Sequence, residues 1–349
     1  MRKSYLMMAA AATMFAACTQ TDFVNEVPES APQAIGFENY VAKSTRAAIN
    51  SEADLANEGG FVVWGYKTKT AGLKWDGTNT ITQIFDAINV KGTEDNWTYD
   101  NKKYWDKMST YNFYAVAPYS PVSGTYSIDG AKDGHITITG VKSALATNSD
   151  DFLLARGGQK DVDGNYTNAH AKVGFTFNHI MSKVTLKLQC GGINAGDKIT
   201  VTSLTMSGWN NNDGKFVQKL DNTPTTATEI SEWSGTTAGT AGVAEFTGTY
   251  ELTPATGEGT ASIVSVDSYI MVPQSVATLT FTLNYTIKYA SGDTEDFVAH
   301  SGKLTNQIWG TDTHTTYTII VGPAPIEFEV TNVLGFTNTP AGSGDLPIE

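Results

Sequence analysis

The segment Gly174-Phe175-Thr176-Phe177-Asn178-His179-Ile180-Met181-Ser182-Lys183-Val184-Thr185-Leu186-Lys187-Leu188-Gln189-Cys190 decides the fold. Side chains alternate faces along an extended chain, so Val184, Leu186, Leu188 and Cys190 share one apolar face. Gly174 to Asn178 reads as one strand and Ser182 to Cys190 as the next. Cys190 then reads as a core residue, with no basic neighbour placed to activate its thiol.

Working outward, the same kind of segment recurs at close spacing. Upstream stand Phe61 to Tyr66, Ile84 to Val90, Asn96 to Tyr99, Tyr111 to Ala117, Gly124 to Ile128 and His135 to Ile138. Asp76-Gly77, Asp129-Gly130 and Asp133-Gly134 supply turns between them. Downstream stand Ile199 to Ser207, Ala244 to Tyr250, Tyr269 to Val272, Thr278 to Ala290, Phe297 to His300 and Tyr317 to Val321. Ile35 to Val41 forms an earlier short strand. Ser51 to Leu55 predicts one helical turn, with Ser51 as cap and Asp54 three residues on. Residues 222–242, rich in Thr, Gly and Ala, read as a long loop. Many short strands and no long helical period predict an all-β chain of sandwiches. The junction between two domains falls near His179.

Composition agrees. The 349 residues include 48 Thr and 33 Gly, which favour strands and turns. The formal net charge of −13 has the wrong sign for a nucleic-acid partner. Two Cys and five scattered His exclude a disulfide scaffold and argue against a metal centre, so no metal or cofactor is expected.

The N-terminus carries an address. Arg2 and Lys3 precede an apolar stretch from Tyr5 to Ala17, too short to cross a bilayer. Phe15-Ala16-Ala17-Cys18 resembles a bacterial lipobox. Cleavage after Ala17 then leaves Cys18 to be lipidated, which anchors the chain without spanning the membrane. Asp22 to Ala34, with Pro28 and Pro32, reads as a tether.

Catalytic patterns are lacking: no Gly-x-Ser-x-Gly, His-Glu-x-x-His, Walker loop or dinucleotide fingerprint occurs. Asp161-Val162-Asp163-Gly164-Asn165 reads as a β-turn rather than a Ca²⁺ loop. Asp150 and Asp151, being adjacent, point to opposite faces of a strand. No enzyme is expected. Aromatics gather from Trp97 to Tyr119, either as a core or as a sugar-stacking platform, with core packing the preferred reading.

An ordered set of motifs runs through the chain: Ile35-Gly36-Phe37, Thr45-Arg46-Ala47, Phe61-Val62-Val63-Trp64, Trp97-Thr98-Tyr99, Tyr104-Trp105 and Tyr111 to Ala115 with Ala117-Pro118. Asp151 to Ala155, Phe175 to Val184, Met271-Val272-Pro273-Gln274, Trp309-Gly310 and Tyr317-Thr318-Ile319 complete it. With the lipoprotein signal, this set resembles the fimbrillin family, the Mfa-like lipoprotein pilins of Bacteroides-type anaerobes.

The resemblance implies two tandem transthyretin-like Greek-key β-sandwich domains. The expected organisation is a signal peptide (1–17), a lipidated tether (18–34), an N-terminal sandwich (35–178), a C-terminal sandwich (179–335) and a flexible tail (336–349). It further implies a surface lipoprotein of the outer membrane that assembles with other fimbrial subunits into a type V pilus and supports adhesion. On that resemblance a protease would cut after Arg46, leaving Ala47 first; the other reading of Arg46 is an exposed loop residue. The strand bearing Ile35, Phe37 and Val41 departs, and a neighbour's C-terminal strand fills its groove. Ile326, Phe328 and Val330, alternating with Glu327, Glu329 and Thr331, are the expected donor residues, with Pro323 and Pro325 able to detach that strand from Ile319–Val321; the other reading is an ordinary last strand of the second sandwich. A host or bacterial surface glycan or protein is the expected receptor. The alternative is a monomeric surface glycan-binding lipoprotein, for which exposed, coplanar Trp97, Tyr104 and Trp105 would be needed.

Overall fold

The computed structural model describes residues 33–41, 51–68, 81–93, 96–106, 109–120, 128–130, 136–146, 151–158, 172–211, 214–221, 228–234, 241–254 and 261–334. By its contacts the chain divides into Met1–Gln33 and Ala34–Glu349, and every element below belongs to the second. The first elements are β1 (Phe37–Val41), α1 (Glu52–Asn57), β2 (Phe61–Thr68), β3 (Thr82–Thr93), β4 (Asn96–Thr98) and β5 (Thr110–Ala117). Then come β6 (Ile128–Gly130), β7 (Ile136–Val141), β8 (Ala144–Leu145), β9 (Leu153–Gly158) and β10 (Val173–His179). β11 (Ser182–Cys190), β12 (Lys198–Asn210), β13 (Gly214–Asp221), β14 (Thr228–Ser234) and β15 (Ala241–Leu252) follow. β16 (Ile263–Met271), β17 (Gln274–Lys288), β18 (Thr294–Trp309), β19 (Thr313–Val321) and β20 (Glu327–Leu334) complete the chain. The fold is all-β.

Four sheets form. Seven strands run in the order β1-β10-β9-β5-β2-β3-β4, and five in the order β20-β19-β11-β16-β8. Two four-stranded sheets have the orders β15-β12-β17-β18 and β14-β13-β7-β6. Pairing is antiparallel except for β1 with β10 and β11 with β19. The last sheet takes β6 and β7 from before His179 and β13 and β14 from after it, so the two expected sandwich segments share a sheet.

Apolar alternation builds three cores. Val184, Leu186, Leu188 and Cys190 meet Ile199, Val201, Leu279 and Leu283 between the five-stranded sheet and the β12 sheet. Burial pushes the Cys190 thiol up from its ordinary value. β2 is buried on both faces: Phe61 and Val63 enter one core, while Val62, Trp64 and Tyr66 enter another with Ile136, Ile138 and Phe216. Two-sided burial explains why Phe61–Tyr66 lacks a polar face.

The helix begins as its residues dictate. Ser51 is extended, with φ of −149°, and its Oγ accepts from the Asp54 amide at 3.1 Å. One expectation fails: 222–242 is not a single loop, because Thr228–Ser234 pairs along β13 from Lys215↔Ser234 to Asp221↔Thr228. Thr-rich sequence serves a strand as readily as a loop once a partner is present, and Trp233 gives this strand a ring contact with Phe216 at 5.3 Å. β13 itself was not foreseen.

Candidate strand-exchange site

The site is the place of β1 at the rim of the seven-stranded sheet. Ile35 and Phe37 alternate with Gly36 and Glu38, so one face of the segment is apolar. β1 runs parallel to β10, from Phe37↔Val173 through Val41↔Phe177, and the Val173 amide donates to the Gly36 carbonyl at 2.8 Å. The other rim is clasped by residues 99–104. Ala34 forms an antiparallel bridge with Tyr104, and the Ile35 amide donates to Lys103 O at 2.8 Å. The Tyr99 hydroxyl donates to Ile35 O at 2.8 Å and accepts from the Lys103 amide at 3.2 Å. The backbone of residue 35 is thereby held through both its amide and its carbonyl, while β10 holds the next residue, Gly36.

Side chains fill the space beneath. Ile35 and Phe37 are each 1% exposed. The Phe37 ring lies 5.5 Å from Phe85, 5.4 Å from Tyr99, 6.1 Å from Phe113 and 5.7 Å from Phe175, stacked on the last. Edge-to-face and stacked ring pairs are favourable beyond the area they bury. Burial raises the Tyr99 phenol pKa, against a lowering by the Lys103 backbone hydrogen bond. The clasp is braced further on: the Asp106 amide donates to Tyr111 Oη at 2.6 Å, and Lys67 Nζ lies 3.3 Å from Asp106 Oδ2.

The expected donor strand sits elsewhere. β20 is an edge strand, antiparallel to β19 from Ile320↔Glu327 to Thr313↔Leu334. Pro323 and Pro325 do not detach it. They occupy the connection, where no ladder amide is needed, and the chain turns back onto β19. Ile326 is buried, Phe328 is half-buried with its ring 5.2 Å from Phe281, and Val330 is 39% exposed. Glu327 and Glu329 face solvent. Gly302 of β18 lets the strand approach, since a Cβ there would lie 2.7 Å from Phe328 Cζ.

Of the residues singled out in the sequence, Ile35 and Phe37 come together in one pocket, and Val41 has its register opposite Phe177. Phe328 lies in another sheet, with Ile326 just ahead of its strand. Ala17, Cys18, Arg46 and Ala47 fall outside the described residues, as does the Asp161–Asn165 turn. Trp97 and Trp105 are 6% and 8% exposed, so the sugar platform does not form; Tyr104 alone of the three is exposed. Sequence reasoning missed the Tyr99–Lys103 clasp, whose contacts to Ile35 are non-local. It also missed that Asp151 and His179 meet, both buried, with Oδ1 3.0 Å from Nδ1. A buried polar pair between strand-like segments carries no local signature.

Comparison with known proteins gives three findings. The family model described as Fimbrillin-like matches residues 45–337. The curated fimbrium subunit Fim1C of Phocaeicola vulgatus is 28% identical over 240 residues, 63% of this chain and 60% of that protein. The aligned part thus spans about 60% of the relative's length. A crystal structure of a fimbrial protein from Bacteroides vulgatus ATCC 8482 superposes with a TM-score of 0.61 at 18% identity, covering 87% of this chain and 99% of that one. That likeness shows a shared fold.

Proposed function

The chain belongs to the fimbrillin-like family, and from that premise we propose that it is a fimbrial subunit that polymerises by exchanging β1 for the C-terminal strand of a neighbour. The observation that carries this reading is the seating of Ile35 and Phe37. They fill a closed aromatic pocket, yet Phe37 opens a five-residue strand at the rim of its sheet and Ile35 stands just before it. Loss of β1 exposes the β10 backbone and a trench lined by Phe85, Tyr99, Phe113 and Phe175. A donor strand that restores both is held tightly.

Supporting steps come from the sequence. Signal cleavage after Ala17 leaves Cys18 to carry lipid into the outer membrane. Cleavage between Arg46 and Ala47 lies five residues beyond Val41 and severs β1 from the body. Segments 35–178 and 179–335 act as the two sandwich domains, joined through their shared sheet. The role is structural rather than catalytic, in keeping with the family and with the fimbrium subunit it resembles.

The test is direct. An arginine-specific protease added to the purified chain should give a new N-terminus at Ala47 and SDS-resistant ladders. Arg46→Ala and truncation after Val321 should each abolish the ladders. Ladders that persist in both variants would overturn the reading.

A further inference from the structure

The segments that open into β1 and β20 carry nearly the same four residues. Ile35-Gly36-Phe37-Glu38 and Ile326-Glu327-Phe328-Glu329 differ only at the second position. Their alternation also agrees: Ile35 and Phe37 are buried with Glu38 exposed, and Ile326 and Phe328 turn inward with Glu327 and Glu329 exposed.

The single difference falls where a glutamate fits. The first atom that a Cβ on Gly36 would meet is Lys172 Cγ, at 3.2 Å, on an exposed and adaptable side chain. Gly36 has no left-handed φ, so a larger residue imposes no backbone strain there. A glutamate at this place would start beside the Cβ, Cγ and Cδ of the lysine stem. Two residues on, Glu38 already stands opposite Gly174, where Glu329 would follow it.

We propose that the C-terminal strand of a second copy enters the β1 site in one register. Ile326 takes the Ile35 site, Phe328 takes the pocket of Phe37, and Glu327 lies against Lys172. The inference rests on the exchange reading above. The Tyr99 and Lys103 contacts are made to the backbone of residue 35, so they hold either strand alike. The side chains choose the register. A slip of one residue puts a glutamate into the aromatic pocket, which an unpaired carboxylate cannot tolerate. A slip of two puts Val330 into a pocket shaped for a ring and Glu329 beside Lys172.

The experiment mixes two full-length variants after cleavage at Arg46, one carrying Lys172→Cys and the other Glu327→Cys, under mild oxidation. The expected result is a disulfide-linked dimer that survives boiling and disappears on reduction. The pair Lys172→Cys with Glu329→Cys should give at least tenfold less. A stronger cross-link at Glu329, or ladders without a cross-link at Glu327, would overturn the register while leaving strand exchange intact. Absence of ladders from the unsubstituted chain would overturn exchange, and the register with it.

Discussion

The hydroxyl of Tyr99 donates a 2.8 Å hydrogen bond to the carbonyl of Ile35, joining residues 64 apart in the chain. The same oxygen accepts from the Lys103 amide, so one phenol fixes both the residue ahead of β1 and the loop that clasps it.

Tyr99→Phe keeps the ring contacts with Phe37 and Phe85 and removes only this link. The chain should lose about 1–2 kcal/mol in urea unfolding, because a buried carbonyl and an amide lose a partner. Hydrogen exchange at the Ile35 amide should quicken several-fold. Unchanged exchange there would remove the clasp from the account.

Phe37→Ala empties the centre of the ring cluster. Large-to-small changes at such sites cost about 3–5 kcal/mol, and the cavity left here is bounded by four rings that cannot all collapse into it. Chemical denaturation measures this. A loss below about 1 kcal/mol would mean that β1 contributes little to the folded monomer.

Asp151→Ala leaves the His179 imidazole without its carboxylate at a site closed to solvent. Leaving one partner of a buried hydrogen bond unsatisfied costs about 1–3 kcal/mol. Asp151→Asn, which keeps a polar group facing Nδ1, should recover part of the loss in the same denaturation assay.

Asp312 links stability to pH. Burial, with His179 opposing and Asp151 adding, pushes its carboxyl from 3.8 up to about 6. The folded value lies above the unfolded one, so its stabilising contribution is complete below pH 3.8 and is lost as pH rises through about 6. After discounting for solvent access, that loss amounts to about 1–2 kcal/mol between pH 4 and 7. Asp312→Asn, at a φ of 55° that asparagine accepts, should flatten this part of the stability–pH curve and stabilise the chain at pH 7. An unaltered slope would contradict it.

Gly242→Ala tests close packing on β15. A Cβ there would strike the indole of Trp209, a buried residue of the C-terminal core. Overpacking should cost about 1–3 kcal/mol, read by urea unfolding and by a change in tryptophan fluorescence.

Much of the architecture was legible in the chain. Ser182–Cys190 alternates, and β11 has those same bounds with its even residues in the core. Ile35 and Phe37 stood out because Ile35 to Val41 reads as a short strand and Ile35-Gly36-Phe37 opens the motif set that resembles the family. The Thr-rich Thr228–Ser234 did not stand out, because its strand character depends on β13 lying beside it. β20 has the alternation of a strand free to move, yet its ladder with β19 is a matter of neighbours rather than of its own residues.

The sequence by itself determined which segments are extended and which side chains seek the interior, because alternation and turn chemistry act over two to four residues. Tertiary structure alone decided that β1 runs parallel to β10, that Tyr99 reaches Ile35, and that β6 and β7 join β13 and β14. Those outcomes depend on contacts across long stretches of chain, where closing a loop costs entropy that only cooperative burial of the cores repays.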